Sequence, residues 1–276
     1  NFQLAAYNRS VKLSQTIRDT TTHFLRLDLD EYLTPLDLQS NLKDLTRRNP
    51  SVDIFSFLWY SDDFKNTRAM FSKPLQENMD IYMMDHVKSM ARSEIIKSCK
   101  HHNFILNTRD SRTLNLLVGS NDVFLDDRWN TEHQRSKFKK TFHSQLREIK
   151  PIEWFVHHRI YSSCTEYIAS LLRGRSHNND PAPIKVNRWG RAPYPWMEAE
   201  AITLNFKQPQ LNKYYKDFDG FLDNCHIRVE LIKSEELLKS RARKVLGMVR
   251  KNPNILEKYP GPFLGLNLEE VEEDLK

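Results

Sequence analysis

The chain has 276 residues and a net charge of +6, and 39% of its residues are hydrophobic. This apolar content is enough for a folded core and argues against global disorder, while the charge suits an anionic ligand or surface. There are only 7 glycines and no G-x-G-x-x-G or G-x-x-x-x-G-K-[ST] sequence. The common Gly-rich phosphate loops are therefore excluded, so a phosphate ligand would be held by a metal ion and basic side chains.

Cysteine usage and hydropathy bear on the compartment. Cys99, Cys164 and Cys225 are widely spaced and form no C-x-x-C pair. This spacing predicts a reducing compartment and hence a cytoplasmic location. No stretch approaches the roughly 20 apolar residues of a membrane span, which leaves peripheral association with a membrane surface open.

Hydrophobic spacing predicts alternating helices and strands at the start of the chain. An amphipathic helix is predicted over residues 2–19. A strand that ends in acidic residues follows over 23–31, and then a short helix over 36–47. The next strand, over 53–60, is rich in aromatic and β-branched residues. Such alternation is typical of an α/β layer protein.

Further along the chain the pattern is less regular and then becomes helical. Short strands are predicted over 87–90, 104–106, 114–117, 123–125 and 154–158. Helices are predicted over 93–99, 165–173 and 235–251, before an acidic tail at 269–274. We therefore predict an α/β domain over residues 1–205, with a mixed sheet flanked by helices, and a helical C-terminal extension over 206–276.

Asp28, Asp30 and Glu31 directly follow an apolar run and form the most informative motif. In an extended chain Asp28 and Asp30 point to the same side, where their carboxylates repel each other. A divalent cation between them relieves this repulsion and can serve a diphosphate ligand. Paired aspartates after a strand can instead cap a helix or form an Asx turn. The preceding strand and the third acid favour the metal site.

A second motif begins at His158, where the strand over 154–158 ends. An imidazole in this place can complete a metal site made of carboxylates. Ser163 and Glu166 follow with the S-x-x-E spacing of a capping box. In that arrangement each side chain accepts a hydrogen bond from the backbone N–H of the other residue. We expect these two residues to be structural.

Basic residues cluster in a Pro- and Asn-rich loop. The members that could contact a diphosphate are Arg173, Lys185 and Arg188, with Arg175 and Arg191 nearby. Such donors can neutralise a diphosphate leaving group, although a solvated charged loop has the same composition. Trp189, Tyr194 and Trp196 interleave with them as stacking platforms for nucleic acid would. No recognised nucleic-acid module surrounds them, so we expect no nucleic-acid partner.

Taken together, these motifs resemble those of the family-2-like glycosyltransferases of the GT-A fold, including the bacterial group close to the family 92 enzymes. Those enzymes carry a hydrophobic strand that ends in [IVL]-D-x-D-E-[FY]-[IL], which residues 27–33 match. Their aromatic strand with a Trp is similar to residues 55–59. Their distal H-[YR]-x-x-x-S-x-x-E-[FY] sequence matches residues 158–167. The resemblance covers residues 1 to about 190.

The resemblance implies a GT-A-like sheet and the metal-dependent, inverting transfer of a sugar from a nucleotide-sugar donor to a hydroxyl acceptor, as in glycan or polysaccharide synthesis. It implies that Asp28 and Asp30 approach the metal and the donor, and that His158 is the distal metal ligand. Carboxylates with one imidazole suit Mn²⁺ better than Mg²⁺. GT-A enzymes begin with a base-binding strand, helix and strand, and the resemblance starts after them; we expect these elements either to precede Asn1 in a longer protein or to come from elsewhere.

The catalytic base and two other function classes remain open from the residues themselves. The candidate bases are the acids at predicted strand ends, Asp62, Asp63, Asp126 and Asp127. Phosphatases with a D-x-D nucleophile motif have Thr or Val where this chain has Tyr32, which counts against that class. A non-enzymatic basic module would bind nucleic acid or anionic lipid without a metal and with strong salt dependence.

Overall fold

The computed structural model describes most of the chain in several segments. The described residues are 2–17, 23–28, 30–62, 75–99, 104–106, 114–118, 121–125, 153–159, 163–172, 183–186, 188, 190 and 201–275. The protein belongs to the mixed α/β class, as the sequence predicts. Across these residues, none of the helices combines the length and the apolar character needed to cross a bilayer.

The described secondary structure consists of ten strands, seven α-helices and two short 3₁₀ segments. The strands are β1 His23–Leu25, β2 Glu31–Pro35, β3 Ile54–Asp62, β4 Asn78–Arg92, β5 Ile96–Cys99, β6 Phe104–Leu106, β7 Leu114–Val118, β8 Asn121–Leu125, β9 Trp154–His158 and β10 Ile202–Asn205. The α-helices are Phe2–Thr16, Leu42–Arg48, Cys164–Ser170, Gln208–Asn224, Ile227–Lys251, Asn254–Lys258 and Leu268–Asp274. The 3₁₀ segments are Ser93–Ile95 and Gly261–Phe263.

Eight of the described strands form one mixed sheet, and β5 and β6 form a separate antiparallel pair. β3 is the central strand, because it pairs with β4 and runs parallel to both β7 and β9. Residues 52–61 are all buried. A strand covered on both faces needs a continuous apolar run rather than an alternating one, and the aromatic sequence of β3 supplies it.

The pairing of β2 with β9 brings the two sequence motifs together. These strands are antiparallel, with Glu31 opposite His158 and Tyr32 opposite His157. β9 is buried along its whole length and also pairs with β3. The end of the acidic motif and the start of the distal motif therefore meet at one end of a strand pair.

Contacts divide the chain into two compact units. One comprises residues 1–61 and 81–158, and the other comprises residues 62–80 and 159–276. In the second unit the helix Cys164–Ser170 packs on the long helix Ile227–Lys251 through a shared apolar cluster. Its most buried members are Ile168, Ala169, Leu171, Ala242 and Val245. This division differs from the predicted one at residue 205, because the helix after the distal motif packs with the C-terminal helices.

Two predicted helices differ from the structure. The helix predicted over 36–47 begins only at Leu42, because the Asn41 side chain caps it by accepting from the Asp44 N–H. The residues before it form a turn in which Asp37 accepts from two backbone N–H groups. The helix predicted over 93–99 is wrong: one 3₁₀ turn leads into β5, which pairs with β6.

Candidate functional site

The acidic motif forms a closed turn rather than the end of an extended strand. The Glu31 N–H donates to the Asp28 carbonyl at 3.1 Å, and the Glu31 carboxylate accepts from the Asp28 N–H at 2.7 Å. The prediction that Asp28 and Asp30 project in parallel from one strand is therefore wrong. A turn lets the two carboxylates enter different surroundings.

A buried lysine lies between the carboxylates of Asp28 and Glu31. The Lys88 Nζ atom is 2.8 Å from Asp28 and 2.9 Å from Glu31, and the lysine side chain is only 1% exposed. Lys88 comes from β4, so the contact joins the turn to the sheet. An ammonium this deeply buried is tolerated only when carboxylates compensate it. Lys88 therefore supplies the positive charge that compensates the carboxylates of Asp28 and Glu31.

Arg26 adds a second cation to the same network. Its guanidinium lies 3.3 Å from the other Asp28 oxygen and stacks over the Tyr7 ring at 3.7 Å from the ring centroid. Tyr7 belongs to the helix Phe2–Thr16, which is thereby linked to the acidic turn. With a protein cation on each oxygen, Asp28 is poorly suited to ligate a metal, in contrast to the expectation from the resemblance.

The pKa values of these acids shift in opposite directions. Burial alone would raise the pKa of Asp28, but hydrogen bonds and charge from Lys88 and Arg26 hold it below its usual value. Burial dominates at Glu31 and raises the pKa of that carboxyl, despite the opposing effects of the Asp28 N–H and Lys88. The network favours the ionised form most strongly at Asp28.

Asp30 instead faces His158 across the β2–β9 pair. The Asp30 carboxylate lies 3.4 Å from the His158 Nε2 atom, and the imidazole stacks on Trp59 with ring centroids 4.0 Å apart. Burial raises the pKa of Asp30, but the hydrogen bond and charge of His158 outweigh it and hold the pKa below its usual value. The Asp30 side chain is 47% exposed, so a ligand can reach it.

The Asp30–His158 pair fits an open metal site. Two ligand atoms that each lie about 2.1 Å from one ion are separated by about 3.0–3.4 Å at bond angles of 90–110°. The observed 3.4 Å separation lies at the upper end of this range and is also that of the direct contact between the two side chains, which a cation would replace. Stacking on Trp59 orients the ring, since the buried Nδ1 atom has no hydrogen-bond partner among the described residues.

The described residues contain no cluster of three or more His, Cys, Asp or Glu side chains that could hold a metal on its own. A cation at Asp30 and His158 would therefore depend on water and ligand oxygens for its remaining positions. Mg²⁺ commonly binds in this way, through one or two carboxylates and substrate phosphates. The donor set of one oxygen and one nitrogen also suits Mn²⁺.

Only part of the predicted diphosphate and catalytic residues can be placed. Lys185 and Arg188 are half-buried in the second unit, where the Lys185 N–H donates to the Leu171 carbonyl at 2.8 Å. Asp62 is the last residue of β3. Arg173, Asp63, Asp126 and Asp127 lie outside the described residues. No catalytic base is therefore assigned.

The capping role predicted for Ser163 is confirmed, because its Oγ atom accepts from the Glu166 N–H at 3.1 Å. The sequence places Lys88 on a predicted strand but gives it no role in the acidic motif, and that role is what sequence reasoning missed. The sequence feature that could have indicated this role is a lysine on a predicted strand that also contains the apolar residues Met90 and Ala91, in a chain that carries a separate acidic motif.

The comparisons with known proteins give no match: no family model matches the chain, and no curated protein or solved structure matches it.

Proposed function

We propose that this protein is a metal-dependent, inverting glycosyltransferase that moves a sugar from a nucleotide-sugar donor to a hydroxyl acceptor, in glycan or polysaccharide synthesis. The observation that carries the proposal is the 3.4 Å approach of His158 to Asp30. Both residues are ligand candidates on motif grounds alone, and they are far apart in the sequence. The motif resemblance adds the reaction type, with a GT-A-like sheet as its scaffold.

In this proposal the two aspartates have separate roles. Asp30 and His158 would hold Mn²⁺ or Mg²⁺, which supplies positive charge for the departing diphosphate. Asp28 holds the turn in place through Lys88 and Arg26, so that Asp30 is presented to His158. Of these two aspartates, Asp30 is the more exposed, and its described ion pair is with His158 rather than with a lysine or arginine.

The remaining tasks go to basic and acidic side chains of this chain. Lys185 and Arg188, together with Arg173, would donate hydrogen bonds to the diphosphate and localise its charge. Acceptor deprotonation requires a general base, for which the acids that follow predicted strands are the candidates, namely Asp62, Asp63, Asp126 and Asp127. Direct attack of that acceptor oxygen on the anomeric carbon gives inversion.

The test compares Asp30→Asn with Asp37→Asn in the full protein. Asp37 is an exposed turn residue, so its substitution makes the same chemical change away from the site. With a panel of nucleotide sugars and Mn²⁺, release of nucleoside diphosphate should fall by at least about 100-fold for Asp30→Asn and stay near wild type for Asp37→Asn. Unchanged turnover in Asp30→Asn, or in excess chelator, would contradict the proposal.

The same preparation separates the enzyme from a non-enzymatic basic module. A module of that kind would bind single-stranded nucleic acid or anionic vesicles with a steep salt dependence and no metal requirement. It would also release no nucleoside diphosphate from any donor. We expect the reverse result, in which polyanion binding is weak at physiological salt and donor turnover requires a divalent cation.

A further inference from the structure

The hydroxyl group of Tyr167 joins two segments that are distant in sequence. It donates to the Pro262 carbonyl at 2.8 Å and accepts from the Gly190 N–H at 2.8 Å. Tyr167 lies on the helix Cys164–Ser170 and is 1% exposed. Both bonds are buried, so neither backbone group could exchange this partner for bulk water without opening the structure.

Gly190 approaches the C-terminal segment so closely that no other residue fits. Its φ is +60°, a left-handed conformation that favours glycine. A Cβ atom built at this position would lie 2.2 Å from the Leu264 carbonyl oxygen. The backbone at residue 190 is thus fixed against the turn after Gly261–Phe263.

The same segment is anchored at its other end. Ile184 is buried in the apolar cluster of the second unit, and the Lys185 N–H donates to the Leu171 carbonyl at 2.8 Å. Between these anchors and Gly190 lies Arg188. The two basic side chains proposed to contact the diphosphate therefore belong to a segment that is fixed at both ends.

We infer that Tyr167 is a positioning residue, which uses the C-terminal segment to fix the conformation of the basic segment for diphosphate binding. This inference rests on the proposed function, since that is where Lys185 and Arg188 receive their ligand. It gives the C-terminal residues, which lie outside the motif resemblance, an indirect part in donor binding. The link is mechanical: Pro262 holds Tyr167, and Tyr167 holds Gly190.

The experiment measures two quantities in the full protein, hydrogen exchange over residues 183–190 and affinity for inorganic pyrophosphate in the presence of Mn²⁺. Tyr167→Phe removes both hydrogen bonds and keeps the ring. We expect exchange in the segment to rise by about tenfold and pyrophosphate affinity to fall by about fivefold. Gly190→Ala should produce the same pair of changes from the other side of the link.

Val245→Ala is the matched control, because Val245 is fully buried in the same cluster and makes no part of the link. It should lower the stability of the unit while leaving pyrophosphate affinity within about twofold of wild type. Equal loss of pyrophosphate affinity in Tyr167→Phe and Val245→Ala would overturn the inference, as would unchanged exchange over 183–190 in Tyr167→Phe.

The double variant Lys185→Ala, Arg188→Ala separates this inference from the proposed function. Weaker pyrophosphate binding in the double variant supports the diphosphate role of the segment, and the Tyr167→Phe result then decides the positioning role. Undiminished binding in the double variant contradicts the diphosphate assignment itself. Faster exchange in Tyr167→Phe alone would then identify the link as purely structural and overturn its role in binding.

Discussion

Asp28 and Asp30 stand two residues apart in one motif, yet they lie in different surroundings. Asp28 is 29% exposed and is held between Lys88 and Arg26. Asp30 is 47% exposed, and among the described residues its carboxylate contacts the ionisable side chain of His158. Two carboxylates paired in a sequence therefore need not share a ligand, because a turn can direct one acid to a protein cation and the other to the surface.

The largest expected effect is the loss of stability on removing Lys88, the buried cation that contacts Asp28 and Glu31. Lys88→Met removes the buried ammonium and leaves Glu31, which is fully buried, without its cation. Removal of one partner from a buried ion pair costs about 3–5 kcal/mol of unfolding free energy. Urea denaturation provides the measurement, and Lys97→Met on an exposed strand position is the control. A loss below about 1 kcal/mol would show that the network is not the support of the turn.

The same comparison predicts unequal stability losses for the two aspartates. Asp28→Asn should lower the unfolding free energy by about 1–3 kcal/mol, since it leaves Lys88 and Arg26 with less compensating charge. Asp30→Asn should cost less than about 1 kcal/mol, because a half-exposed ion pair contributes little. Thermal or urea unfolding of both variants distinguishes them. Equal losses would remove the distinction between the two surroundings.

Acid sensitivity provides a further contrast. The pKa of Asp28 is lower in the folded protein than in the unfolded chain, so its contribution to stability is present above the unfolded pKa of about 3.9 and is lost as the pH falls through the folded value. Asp28→Asn should therefore lose less stability than wild type between about pH 5 and pH 2. Glu31→Gln should not reproduce this flattening, since the pKa of Glu31 is raised by folding. Urea midpoints against pH measure both variants, and identical acid profiles would contradict the assignment.

The smallest expected effect concerns the link between the first helix and the turn. Tyr7→Leu removes the ring that stacks on the Arg26 guanidinium and should cost about 0.5–1 kcal/mol. Tyr7→Phe keeps the ring and should remain close to wild type. The difference between the two variants in urea unfolding measures the contribution of the stacked ring, and no difference would mean that the ring does not stabilise the position of Arg26.

How far the sequence predicts this structure depends on whether the decisive contacts are local. β3 and β9 were predictable, because a strand buried on both faces requires a continuous apolar run. The Ser163 cap was predictable from spacing, because capping is completed within one helical turn. By contrast, residues 93–99 form a 3₁₀ turn and a strand because of pairing with Phe104–Leu106, which no local pattern encodes.

The residues of the candidate site show the same difference between what local sequence predicts and what tertiary contacts decide. Asp30 and His158 could be nominated from motifs, and the antiparallel pairing of β2 with β9 then places them together. The contact of Lys88 with the acidic turn could not be predicted, because it depends on which strand packs against that turn. Even the orientation of Asp28 was mistaken, since an extended chain and a turn have the same sequence but direct alternate side chains differently.

The most direct test of the account is Mn²⁺ binding, measured by electron paramagnetic resonance, in wild type, Asp28→Asn and Asp30→Asn under conditions where all three are folded. Asp30 and His158 are proposed to hold the cation, whereas Asp28 is held by Lys88 and Arg26. Asp30→Asn should therefore weaken Mn²⁺ binding by at least about tenfold, and Asp28→Asn should change it by no more than about threefold. Equal weakening in the two variants, or Mn²⁺ binding that survives Asp30→Asn intact, would contradict the account.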